Sequence, residues 1–99
     1  MNIFVSYTRN DGIIKTENLY LLNKFLSEKH NVFIHAVESS SRKVNQEDVI
    51  VNLIKSDVIL LLFTEGCFKS NWVNLEIELS NLFDIPIVPV DATKLLFEN

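Results

Sequence analysis

Apolar positions along the chain fall into runs with two alternating periods. Ile3–Tyr7 is a short apolar run that predicts a strand. Thr16–Lys29 carries Leu19, Leu22, Phe25 and Leu26 at helical spacing, which predicts an amphipathic helix with those four on its buried face. Asn31–His35 contains Val32-Phe33-Ile34, a second strand. Ala36–Val44 holds three consecutive serines with Arg42 and Lys43, and reads as a loop. Asn45 suits a helix N-cap, and Glu47 and Asp48 suit the positive first turn that follows. Val49, Ile50, Leu53 and Ile54 give that helix its apolar face, and Lys55 fits its end.

Asp57 opens the third strand, Val58–Phe63, an unbroken apolar run. Lack of alternation means that both faces are covered, the mark of a central parallel strand. A helix follows through Ser70–Phe83, then the apolar run Ile85–Val90. Pro86 and Pro89 cannot donate to a ladder, so this last strand belongs at a sheet edge. The order βαβαβαβ predicts an α/β fold over a single domain, residues 1–99. Its expected form is a flavodoxin-like three-layer sandwich, a parallel sheet of four strands with right-handed crossovers. Ligands of such sheets bind beyond the C-terminal strand ends. Here those ends are Tyr7–Asp11, His35–Glu38, Thr64–Lys69 and Asp91–Thr93. Thr93–Phe97, with Leu95, Leu96 and Phe97, is an apolar tail: a short closing helix, a partner contact, or the end of a shortened domain.

One residue breaks the hydrophobic pattern. At 100° per residue, the apolar side chains of 72–83 span an arc of roughly 220°. Leu82, Leu75, Leu79, Trp72 and Phe83 lie toward one side, Val73 and Ile77 toward the other. Glu76 falls inside the arc with Ser80 beside it, whereas Glu78 falls outside with Asn74 and Asn81. A carboxylate on a buried face is costly unless it is paired or opens onto a cavity. Glu76 is therefore the candidate for chemistry.

Composition narrows the classes. Glycine and proline number two each and 47% of residues are hydrophobic, which excludes a disordered or low-complexity chain. A net charge of −4 argues against a nucleic-acid or anionic-membrane surface. The single cysteine, Cys67, has no disulfide partner and reads as a small hydrophobe at a strand end. His30, His35 and Cys67 lack ligand spacing, so no metal site is expected. No basic leader precedes the first strand and no run is long enough to span a bilayer. The expectation is a cytoplasmic protein without nucleic-acid or membrane partners.

The segment Ile3-Phe4-Val5-Ser6-Tyr7-Thr8-Arg9-Asn10-Asp11-Gly12 resembles the first signature of TIR (Toll/interleukin-1 receptor) domains. In the same order, Val32–Ile34 and Ser56–Leu62 resemble that family's second and third strands. Asn71–Glu76 is similar to its Trp-x-x-x-Glu helix, and Ile87–Val90 to its fourth strand. The resemblance, to a short form of the NAD-cleaving type, covers residues 2–91. It implies cleavage of the nicotinamide–ribose bond of NAD, as substrate rather than cofactor, giving ADP-ribose or a cyclic isomer for signalling or defence. Glu76 would be the essential carboxylate. The chemistry is coherent: nicotinamide leaves neutral from a cationic ground state, so one carboxylate beside the oxocarbenium-like ribose is enough.

Further residues have two readings each. Arg9 either meets a phosphate or is an exposed loop arginine. Trp72 shapes a ribose pocket or fills core. Ser6 is a pocket hydroxyl or a structural one. Ser80, beside Glu76, joins them as a substrate-binding candidate. His35 stands where many family members carry an acid, and is a titratable pocket residue or a solvated one. Residues 38–44 occupy the place of the family's BB loop, which implies TIR–TIR contacts and a homo-oligomer, although the glycine often found there is lacking. Two alternatives stay open: a non-catalytic TIR interaction module, and a nucleoside deoxyribosyltransferase-like enzyme. A phosphate-receiver domain is disfavoured, since the third strand ends Phe63-Thr64-Glu65 without an acceptor aspartate. A Rossmann dehydrogenase is disfavoured because Gly12 and Gly66 cannot write G-x-G-x-x-G.

Overall fold

The computed structural model describes residues 1–92 of the chain. Strands β1 (Asn2–Ser6), β2 (Asn31–Phe33), β3 (Val58–Phe63) and β4 (Ile87–Asp91) form one all-parallel sheet in the order β2-β1-β3-β4. Helices α1 (Thr16–Ser27), α2 (His35–Glu38), α3 (Gln46–Ile54) and α4 (Asn71–Leu82) fill the connections, with a 3₁₀ turn at Cys67–Lys69. This is the expected α/β, flavodoxin-like arrangement. The unbroken run of β3 is central, paired to β1 on one side and β4 on the other. The proline-bearing β4 lies at the edge among the described residues, with Pro89 in register with Leu61.

The pleat divides the core in two. On one face Ile3, Val5 and Leu62 pack with Ile14, Leu19, Leu22 and Ile34, beneath α1. On the other, Phe4, Phe33 and Ile59 pack with Val49, Leu53 and Ile85, and the side chains of Trp72 and Leu79 lean on them. α3 and α4 cover this second face. Phe4 and Phe33, paired across β1 and β2, stack with centroids 5.4 Å apart. Asn45 caps α3 as expected, in a reciprocal box with Asp48: each side chain accepts the other's backbone N–H, at 2.9 and 3.2 Å.

Several sequence expectations are corrected. The segment expected as a loop from Ala36 begins instead with the helical turn α2. Backbone bonds close it, the N–H groups of Ser40, Ser41 and Arg42 reaching the carbonyls of Val37 and Glu38, and the hydroxyls of Ser39, Ser40 and Ser41 add bonds to the carbonyls of Ala36, Val37 and Glu38. His35 therefore opens a helical turn rather than sitting in a loop. Phe25, placed on the buried face of α1, is 73% exposed, because the neighbouring sheet on that side carries no second helix among the described residues. Ile54 and Leu82 also lie exposed, at the outer margins of their apolar arcs, and so does Phe83, the C-cap residue just past the end of α4. The apolar tail Thr93–Phe97 lies outside the described residues.

Candidate functional site

The site is built from the end of β1 and the first two turns of α4. Ser70 begins α4 by accepting the backbone N–H of Val73 on its hydroxyl at 3.3 Å. Val73, Glu76 and Ser80 then form the one fully buried line of this helix, at spacings of three and four residues. The helix stops in a Schellman turn. Asp84 takes a left-handed φ of 57°, and the Ile85 N–H reaches back to the Ser80 carbonyl at 2.8 Å. That stop returns the chain to β4 while α4 lies against the sheet. Ser6, the last residue of β1, is in register with Leu61 and lies on the same face of the sheet as Phe4. It meets Glu76 there.

Glu76 is only 4% exposed. Its Oε1 accepts the Ser6 hydroxyl at 2.8 Å. Among the described residues no lysine, arginine or histidine pairs with it. Burial therefore dominates: loss of hydration lifts the carboxyl from its ordinary 4.5 to about 7, although hydrogen bonds from Ser6 and Trp72 hold it back. The indole N–H is the only donor Trp72 has. Glu76 is thus a group that changes charge near neutral pH, a setting suited to chemistry.

The sequence candidates divide. Ser6 and Trp72 are brought onto Glu76. Ser80 is buried, but its hydroxyl donates to the Glu76 backbone carbonyl at 2.6 Å, so it braces the helix and does not reach the carboxyl. Trp72 and His35 line a crevice of about 370 Å³, together with Val44, Asn45, Gln46 and Val49. Trp72 touches both this crevice and Glu76, so one side chain separates them. Arg9 is exposed at the turn after β1.

Residues outside that set of candidates complete the surroundings. Tyr7 follows Ser6 on the opposite face. Its phenol is pushed up by burial, drawn down by the Ala36 N–H it accepts at 3.0 Å and by Arg9, and raised by Glu76. Arg9, Tyr7 and Glu76 therefore share one electrostatic neighbourhood. Asp11 ties two strand-end loops together. Its Oδ2 accepts the Thr64 hydroxyl at 2.6 Å and the Gly66 N–H at 3.2 Å, while Oδ1 accepts the Ile13 N–H in an Asx turn. The Thr64 bond, foremost, holds the Asp11 carboxyl below its ordinary range. A Cβ on Gly66 would sit 2.8 Å from Asp11 Oδ2, so this contact requires glycine. Gly12, at φ +73°, closes the turn that presents Arg9, with its N–H on the Arg9 carbonyl. An aspartate two residues before Ile13 is a sequence signal for the Asx turn, but its tie to Thr64 spans 53 residues and has no local signature.

Among the described residues, no three His, Cys, Asp or Glu side chains gather to hold a metal ion. None of the described helices is long and apolar enough to cross a membrane. No protein-family model matches the chain, and no curated protein matches it.

Proposed function

We propose that this chain is a TIR-like enzyme that cleaves the nicotinamide–ribose bond of NAD, with Glu76 as its carboxylate. One observation carries the reading: a glutamate without a cationic partner, buried at the C-terminal end of a parallel sheet and hydrogen-bonded to a strand-end hydroxyl. In the reaction the C1′–N bond breaks and its electron pair stays on nicotinamide, which leaves neutral. Ionised Glu76 stabilises the ribose cation; water, or a nucleophile of the adenine, then takes C1′ and releases a proton. The poor hydration of Glu76 strengthens that stabilisation, since no solvent shell must be displaced. Trp72 separates the crevice from the carboxyl, so ribose entry requires its ring to swing. Arg9 is assigned the diphosphate, and the product serves signalling or defence in the cytoplasm. Homotypic assembly through residues 38–44 belongs to the same proposal. The ion pairs of Arg42 with Glu38 and Asp48, at 3.6 and 3.7 Å, support it by giving that segment a defined shape.

The test is nicotinamide release from NAD by the wild type, Glu76→Ala and Glu78→Ala, dilute and crowded. Loss of at least about 100-fold is expected in Glu76→Ala alone, with wild-type activity rising as pH passes about 7. Equal loss in both variants would sink the proposal. A wild type inactive even when crowded would sink it too, and favour an interaction module.

A further inference from the structure

We infer that Asp11 is a positioning residue: it fixes the turn bearing Arg9 against the loop that leads into α4, and so sets the spacing between Arg9 and Glu76. The inference rests on the proposed cleavage of NAD for its substrate, and on hydrogen bonds alone for its geometry.

The Arg9 turn has little of its own to hold it in place. Arg9 is exposed. The Gly12 N–H donates to the Arg9 carbonyl at 3.1 Å, and the Asn10 N–H to the Thr8 hydroxyl at 3.2 Å. Bonds between such near neighbours give a turn its form but not its place on the sheet. Its place comes from Asp11, inside the same turn. Oδ2 of Asp11 accepts the Thr64 hydroxyl and the Gly66 N–H, at 2.6 and 3.2 Å, in the loop after β3. Thr64 is itself buried, so the anchor is firm. Bonds to a carboxylate are also the stronger kind.

From that anchor, bonds run on to α4 without a gap. The Cys67 N–H donates to the Thr64 carbonyl, the Lys69 N–H to the Gly66 carbonyl and the Ser70 N–H to the Cys67 carbonyl, at 3.1, 3.1 and 3.2 Å. Cys67 is fully buried and pins this 3₁₀ turn to the core. Ser70 then caps α4, which carries Glu76. Among the described residues no lysine or arginine pairs with Asp11, and both its oxygens face protein donors. The carboxylate is thus a fastener and not itself a ligand group. A dinucleotide has a set length between its diphosphate and its C1′–N bond. A diphosphate clamp therefore helps only if it keeps a matching distance from the carboxylate, and a displacement of about 1 Å can cost about 100-fold in rate.

Initial rates with NAD and with nicotinamide riboside, which keeps the scissile bond but lacks the diphosphate, test this. Thr64→Val keeps the shape and removes the hydroxyl. It is expected to lower kcat/KM for NAD about tenfold, and that for nicotinamide riboside by less than about twofold. Asp11→Asn should act in the same direction, and Thr64→Ser, which keeps the hydroxyl, should behave as wild type. Arg9→Ala with Thr64→Val should be no worse than Arg9→Ala alone, since the tie acts through Arg9. Unchanged NAD cleavage in Thr64→Val, equal losses on both substrates, or additive losses in the double variant would overturn the inference. Binding of ADP-ribose, followed by NMR, reads the same positioning without turnover. A wild type that cleaves neither substrate, yet binds ADP-ribose about tenfold more tightly than Thr64→Val does, ends the cleavage reading and keeps Asp11 in its role. If Thr64→Val binds as tightly, or if the wild type neither cleaves nor binds, the inference falls.

Discussion

The two faces of the sheet differ in what covers them. The Phe4 and Ile59 face lies under α3 and α4, while the Val5 and Leu62 face lies under α1 alone among the described residues. The ionisable group with the large upward shift, Glu76, is on the doubly covered face. The most exposed aromatic ring among the described residues, Phe25, is on the singly covered one. A carboxyl can be stripped of water only where neighbours close around it. Apolar side chains stay wet only where a neighbour is lacking. The same sheet thus supplies a dry site on one side and an open surface on the other.

The largest expected contrast comes from truncating one apolar side chain on each face. Leu53→Ala, on the buried face of α3, should cost about 2–5 kcal/mol. Phe25→Ala should change stability by no more than about 0.5 kcal/mol. Urea unfolding of both measures the difference, and equal costs would mean that the α1 flank is covered after all.

Glu76→Gln sharpens the comparison through pH. The folded chain favours the protonated carboxyl, so the cost of burial is absent below the ordinary 4.5, grows up to about 7, and is complete above that. The amide keeps the shape without the charge. It should therefore stabilise the protein by about 3 kcal/mol well above pH 7 and by almost nothing below 4.5. Unfolding curves of the two proteins at several pH values check this; a gain independent of pH would refute the burial argument. A smaller effect than that of Glu76→Gln is expected of Ser6→Ala. It removes the hydroxyl from Oε1 and should cost about 1–3 kcal/mol, while moving the midpoint of Glu76 further upward, as read by carboxyl carbon NMR. A downward movement would mean that the hydroxyl does not favour the charged form.

The doubly covered face was the more legible in the sequence. The uniform apolar run of β3 implied its central position, and the prolines implied the edge position of β4. Glu76 was found because helical spacing alone puts it between Phe83 and Val73. The open face was not legible, for a physical reason. Spacing tells which side of a helix is apolar, but not how much of that side a neighbour reaches, so Phe25 looked like core. The α2 turn was hidden because serines favour loops in general, yet here their backbone N–H groups and hydroxyls close a helix end. Ser80 looked like a pocket group until its bond to the i−4 carbonyl was seen. Within the site, Ser6 and Trp72 were found by their positions, whereas the Asp11 to Thr64 tie depends on long-range folding. The roles of Arg9 and His35 toward a ligand remain with the proposal.

The hydrogen bond between Ser6 and Glu76 joins residues 70 positions apart. Burial, not this bond, lifts the carboxyl, and burial needs α4 packed on the sheet beside β1, so Glu76 keeps its ordinary acidity until those elements have assembled. Between pH 4.5 and about 7 the completed fold must then draw as much as one proton from solution. Refolding in weak buffer with an indicator dye would show that uptake as a colour change. This single glutamate thus provides a label-free clock for the moment at which the site closes.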